Sequence, residues 1–364
     1  MPDGSAFSPD YVSARARFRS SALALGCHME SHAVDPIGPD GEELTIDIAV
    51  LGSRDPTHVV LVSSGLHGVE GYLGSAIQAS LLEEAIGAWR PPPDSALILI
   101  HGLNPWGMAW KRRVNEDNVD LNRNFLLPGQ SFKGAPASYA VLDSLLNPRS
   151  PPSRLDPFLP QAILAIARHG RDALASSATG QYDRPRSLFF GGNTASRTAD
   201  FMRQRMPHLL GRATRVLHLD FHTGVGRRAC PLLLSRHPEG SRAFADLSAT
   251  FGESLVSDAG TKAQGDMRSW MQVMLDKVDY DGISVEFGTV GPLRILEALR
   301  EENRAWHYGD PEHPRTRAAR DLLYSVFCPI DQRWRDRVVP EGVRLVHKAL
   351  ERELDAARSA TCEV

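Results

Sequence analysis

The spacing of apolar residues changes repeatedly along the chain, and the changes mark out strands and helices. Residues 59–63 form a short run rich in Val, bounded by polar positions and then Gly65, as in a buried strand. Residues 97–100 repeat that pattern, and 44–50 has strand character with Asp40-Gly41 before it as a turn. Residues 215–221, 231–235 and 282–287 add three more strands. Between them the period lengthens. Over 72–89, Leu73, Ile77, Leu81 and Ala85 recur every fourth residue, which predicts an amphipathic helix. Helical patterns also cover 161–176, 199–210, 292–306, 318–327 and 343–357. Pro91-Pro92-Pro93 and the Pro-rich stretch 147–160 read as loops, because Pro neither continues a helix nor donates to a ladder. Strands alternating with helices predict an α/β fold: a mixed, largely parallel twisted sheet with helices on both faces.

Composition narrows the function classes. The 364 residues carry 42% hydrophobic and 23% charged side chains and a formal charge of −3, an ordinary globular balance. No basic run is long enough for a nucleic-acid or anionic-membrane patch, so neither is expected as a partner. Cys27, Cys230, Cys328 and Cys362 are far apart with no CxxC pair, which excludes a zinc ribbon or redox motif. The first residues lack an apolar signal region, and the longest apolar strings fall short of a membrane span. The expectation is a cytoplasmic protein with one catalytic domain over 1–364, in which 131–190 is an insert near the site.

In sheets of this kind functional groups gather at the carboxyl ends of strands, and four strand ends carry unusual polar residues. After 59–63 comes Ser64-Gly65-Leu66-His67-Gly68-Val69-Glu70-Gly71. His67 and Glu70 are both good zinc ligands and share a glycine-rich turn; equally, Glu70 suits a helix N-terminus and His67 a polar turn. After 97–100 comes a loop dense in Asn and Arg: Asn104-Pro105, Lys111-Arg112-Arg113, and Asp120-Leu121-Asn122-Arg123-Asn124-Phe125. Guanidinium and amide groups grip carboxylates and oxyanions, although turn formers also fill solvated loops. His222 ends the strand 215–221, as a third ligand or a satisfied core histidine, with His218 and Asp220 on the same side by period two. Glu286 ends the apolar strand after Val285, as a general base or as a carboxylate bonded to backbone N–H groups. Together, two His and one Glu leave a zinc position open for water, and a further Glu with an Arg-rich loop completes a parts list for amide hydrolysis.

The order of these parts resembles the zinc carboxypeptidase family, the metallopeptidases typified by carboxypeptidase A: HxxE, an NP…R…DLNRNF block, a strand-end His, then a late Glu. The strings SSGLHGVEGYLGSAIQ, LFFGG, LDFHTGVG and ISVEFGT are similar to a bacterial branch of that family known mainly as a domain of unknown function, over nearly the whole chain. The EFGT ending is shared in style with the aspartoacylase and succinylglutamate desuccinylase deacylases.

The resemblance implies a role for each matching position. His67, Glu70 and His222 would hold one Zn2+, and Asp120 would orient the first histidine. Arg113, rather than Arg112, would polarise the scissile carbonyl; Asn122 and Arg123 would bind a substrate carboxylate; Glu286 would be the general base. The implied function is a zinc hydrolase cleaving an amide bond next to a free carboxylate, on a small peptide. The alternatives are deacylation of an N-acyl amino acid and a catalytically inactive binding relative. One family feature has no match: neither Tyr280, only six residues before Glu286, nor Tyr182 corresponds to the family's mobile substrate-closing tyrosine. The insert at 131–190 is expected to narrow the mouth of the site and favour small substrates.

Overall fold

The structure, a computed structural model, describes residues 6–86, 91–258 and 263–361. Among these residues eight strands form one sheet in the order β1-β2-β4-β3-β5-β8-β6-β7. The strands are β1 His28–Val34, β2 Leu44–Gly52, β3 His58–Ser64, β4 Ser95–His101, β5 Arg215–Arg228, β6 Pro231–Leu234, β7 Val256–Ser257 and β8 Asp279–Gly288. The central run β4-β3-β5-β8 is parallel throughout, and β6 and β7 pair in parallel. Antiparallel pairs join β1 to β2, β2 to β4 and β6 to β8. This is the mixed, largely parallel sheet that the alternating pattern predicts.

Helices cover both faces. Leu217, Leu219 and Phe221 of β5 point into a core shared with helices Tyr11–Ala24, Gly71–Ser80, Arg242–Phe251 and Gln332–Thr361. Val216 and Tyr280 point the other way, toward helices Arg197–Leu210 and Met267–Met274. Because side chains alternate along a strand, His218, Asp220 and His222 lie on that second face, level with Gly282, Ser284 and Glu286 of β8.

Several elements depart from the sequence expectation. The helix expected over 161–176 is two helices, Phe158–His169 and Arg171–Ser177, separated by Gly170 at φ +81°. The helix expected over 72–89 is Gly71–Ser80 followed by a wider turn at Leu81–Ala85; positions 87–89 lie outside the described residues. Strand β5 does not stop at Phe221 but continues to Arg228, so His222 sits within the ladder opposite Glu286.

The region 131–190 builds its own apolar layer. Tyr139, Leu142, Leu146, Phe158 and Ala162 pack on Leu296 and Leu299 of helix Pro292–Tyr308 and on Leu323 and Phe327 of helix Pro314–Phe327. Asp156 bridges the buried Arg300 and Arg304 of the former helix, fixing the insert to the body beside the strand ends.

Candidate metal centre

The site is assembled by the segments that follow β3 and β4 and by the ends of β5 and β8, all at the carboxyl edge of the parallel strands. The turn 67–70 is held down by backbone bonds: Gly68 N–H donates to Arg113 O (3.1 Å) and Val69 N–H to Arg112 O (2.8 Å). The fit leaves no room for a side chain at Gly68, where a Cβ would lie 2.0 Å from the carbonyl carbon of Gly107. The glycines around HxxE thus let two backbones touch, which delivers His67 and Glu70 next to the arginine loop.

His67, Glu70 and His222 are buried, and one ligand-type atom from each lies within 4.8 Å of the others. His67 Nδ1 is 3.0 Å from Glu70 Oε1, and His222 Nδ1 is 3.1 Å from Glu70 Oε2. Both imidazoles therefore turn the same nitrogen toward the carboxylate. Their far nitrogens are held from behind: His67 Nε2 lies 3.1 Å from Asp120 Oδ1, and His222 Nε2 lies 2.6 Å from Asp220 Oδ2. Carboxylates placed behind ligating histidines fix the tautomer that presents the lone pair to a metal. Thr223 N–H also donates to Glu70 Oε2 (3.1 Å).

Electrostatics match this packing. Burial alone would raise the pKa of Glu70, but the His67 and Arg113 charges hold it well below the usual range. Asp120 behaves the same way, with burial outweighed chiefly by Arg113 and His67. Burial would lower His222, yet the Asp220 charge, with hydrogen bonds to Asp220 and Glu70, holds it well above its ordinary value. The site is a closely balanced set of opposite charges that a cation would reorganise.

His67 Nδ1 and Glu286 Oε2 are among the buried polar atoms that make no hydrogen bond among the described residues; the approach of His67 Nδ1 to Glu70 Oε1 is a charge contact without hydrogen-bond geometry. Such atoms are rare in folded proteins and call for an explanation. A divalent ion between His67, Glu70 and His222 would satisfy the first, and a donor carried by that ion's surroundings the second. Two imidazoles and one carboxylate are also the donor set of a zinc site with an open position, so the residues present fit the metal. Glu286 is half-buried, and its carboxyl is pushed up to about 7, by burial first and with Glu70 acting in the same direction.

The arginine loop separates into two roles. Arg113 keeps 15% of its side chain exposed and reaches the site, donating to Glu70 Oε1 (2.6 Å) and Asp120 Oδ2 (3.3 Å). Its Nη2 is 2.9 Å from His67 Nε2, so Arg113 and Asp120 compete for that nitrogen. A cation on Nδ1 would keep the proton on Nε2 and decide the competition for Asp120. Arg112 turns into the interior, pairs with Glu302 (2.6 and 3.2 Å) and stacks on Trp306.

Asn122 and Arg123 follow on a single helical turn that Asp120 caps through Asn122 N–H (3.1 Å). Asn122 Oδ1 accepts from Met267 N–H (3.1 Å). Arg123 is buried and spends two N–H groups on carbonyls, of Asn122 (2.7 Å) and of Ala178 in the insert (3.0 Å), while its Nε has no partner. Neither tyrosine considered as a lid is free to move: Tyr182 is buried and donates to Arg123 O (2.7 Å), and Tyr280 is buried against His218. The second histidine-orienting carboxylate, Asp220, was visible in sequence only as one of two polar residues two apart before His222.

A family model described as a protein of unknown function (DUF2817) matches residues 7–341, and the chain belongs to that family. No curated protein matches it. Among solved structures, the chain is similar to carboxypeptidase A from Helicoverpa armigera, with 13% identity and a TM-score of 0.47 over 94% of this chain and 73% of that one. It is also similar to a succinylglutamate desuccinylase from Chromobacterium violaceum, with 14% identity and a TM-score of 0.39 over 90% of this chain and 76% of that one. These are likenesses of outline at low identity, and the chemistry rests on the site itself.

Proposed function

We propose that this protein is a single-zinc hydrolase that cleaves an amide bond next to a free carboxylate. One observation carries the reading: three buried ligand groups converge within 4.8 Å, and Glu286, whose Oε2 makes no hydrogen bond among the described residues, stands in register with one of them, His222. His67, Glu70 and His222 would hold the ion. When bound, zinc in such a set lowers the pKa of water from about 15.7 to roughly 7 and polarises a carbonyl.

The chain's own groups would do the rest. Glu286 accepts the proton of the attacking water and returns it to the leaving amine. Arg113 donates to the oxygen that gains charge as the carbonyl becomes tetrahedral, a role typically worth ~3 kcal/mol. Asp120 and Asp220 hold the two imidazoles. Asn122 and Arg123 take the substrate carboxylate, with the N–H groups of Arg123 that the carbonyls leave unused.

A second reading, deacylation of N-acyl amino acids, is favoured by one feature. The insert meets Arg123 directly, Ala178 O accepting from its guanidinium and Tyr182 donating to its carbonyl, so the residue proposed to take the carboxylate is crowded by its own chain. That suits a small amine product better than a long peptide. Elemental analysis of the purified protein and of its His67→Ala and His222→Ala variants tests the metal. A panel of C-terminally free dipeptides against N-acyl amino acids, run with Glu286→Gln as the blank, separates the readings. Bound zinc with no turnover of either class would instead favour a binding relative.

A further inference from the structure

We infer that Tyr280, His218 and Ser63 form a one-way hydrogen-bond chain that sets the orientation and tautomer of His222 through Asp220, and so tunes metal binding from inside the core. The inference rests on His222 being a metal ligand, and it concerns positioning residues that do not touch the reacting groups.

The chain is continuous and short. The Tyr280 hydroxyl is 2.7 Å from His218 Nδ1; His218 Nε2 is 2.7 Å from Ser63 Oγ; Ser63 Oγ is 2.6 Å from Asp220 Oδ1; Asp220 Oδ2 is 2.6 Å from His222 Nε2. Tyr280, His218, Ser63, Asp220 and His222 are all buried. Three adjacent parallel strands, β3, β5 and β8, supply its members, so the ladder itself fixes their spacing.

Its direction follows from which groups can donate. Asp220 presents only carboxylate oxygens to the chain, one 2.6 Å from Ser63 Oγ and the other 2.6 Å from His222 Nε2. It therefore accepts on both oxygens, from Ser63 O–H and from His222 N–H. With its proton spent, Ser63 Oγ can only accept from His218 Nε2–H. His218 is neutral, because burial lowers its pKa to about 4. Its Nδ1 must then accept, and the Tyr280 hydroxyl is the donor. Every link has one donor and one acceptor, and each polarises the next. Reversing any link would leave Asp220 with one donor fewer and free its carboxylate to turn away from His222.

A second observation shows that room is made for the first link. Position 282 stands opposite His218 in the ladder and is glycine; a Cβ there would lie 2.7 Å from the Tyr280 hydroxyl oxygen. The missing side chain is what allows the phenol to lie beside His218.

Zinc affinity, read by competition with a chromophoric chelator, tests the chain, together with nitrogen-15 NMR of histidine side chains in the parent protein. Tyr280→Phe and Ser63→Ala are each expected to weaken zinc binding about 10- to 100-fold, the usual effect of losing an outer partner of a ligating histidine. Gly282→Ala, which displaces the phenol but removes no polar group, should shift affinity in the same direction. In the parent, His218 should carry its proton on Nε2; in Tyr280→Phe it should populate the Nδ1–H form. A parent His218 protonated on Nδ1, or parental affinity in Tyr280→Phe, would overturn the chain, and the NMR result requires no variant to fold. His222→Ala keeps the two levels apart. If it binds zinc as the parent does, the metal-ligand reading fails. If it loses zinc while Tyr280→Phe and Ser63→Ala bind normally, only the chain fails.

Discussion

Replacing Glu286 by Gln makes opposite predictions for stability and for turnover, and both follow from its surroundings. In the metal-free protein the carboxyl is raised from 4.5 to about 7, chiefly by burial. A carboxyl raised on folding is unaffected in acid, where both folded and unfolded forms are protonated. It then costs stability progressively as pH rises from the unfolded to the folded value. At 1.36 kcal/mol per unit the full shift would be about 3 kcal/mol; the half-buried position leaves about 1–2 kcal/mol after solvent screening. Glu286 Oε2 makes no hydrogen bond that glutamine would lose. Glu286→Gln should therefore match the parent near pH 4.5 and exceed it by about 1–2 kcal/mol at pH 8, both measured in chelator. Thermal melts across that range should show the gap between variant and parent opening as pH rises. With zinc restored, the same change should cut turnover about 100- to 10,000-fold and leave the metal bound. A stability gap of equal size at pH 4.5 and pH 8 would refute the electrostatic account, and undiminished turnover would remove Glu286 as the base.

Other tests address the neighbouring groups. Arg112→Ala strands the buried Glu302 and should destabilise the fold by about 3–5 kcal/mol in a melt; Arg113→Ala takes a partner from the buried Glu70 and Asp120 and should also lower the melting temperature, but it should in addition lower turnover about 100- to 1,000-fold with zinc bound. Gly68→Ala forces a Cβ into the Gly107 backbone, so soluble yield and melting temperature should fall together, with zinc content lost in what remains. Arg123→Ala should raise KM most for substrates with a free carboxylate; equal losses on neutral and acidic substrates would take the clamp out of the mechanism.

Much of this arrangement can be read from sequence because the parallel strands advertise themselves as apolar runs and the chemistry sits where those runs end. His67, Glu70, His222 and Glu286 are legible for that reason. Elements without such contrast are not. Helix Tyr11–Ala24 buries Tyr11, Ala14, Phe18 and Ala22 at helical spacing, but Arg15, Arg17 and Arg19 between them blur the stripe. Edge strand β1, His28–Val34, is half polar and carries little period-two signal. The break between Phe158–His169 and Arg171–Ser177 depends on the positive φ of Gly170, and isolated glycines inside a helical pattern do not announce it. The role of Tyr280 needs the register of β8 against β5, a long-range pairing that no local window contains.

The continuation of β5 beyond Phe221 has a consequence for how this architecture can change. His222 and Glu286 occupy one rung of a parallel ladder, so the separation of the proposed ligand and the proposed base follows the lateral spacing of strands, about 4.8 Å between backbones. Loops drift and exchange residues readily; a rung in the middle of a sheet does not. Divergence among relatives should therefore spare this rung and fall instead on the 131–190 segment, which meets the site through Phe190 at Asp120 and Ala178 at Arg123.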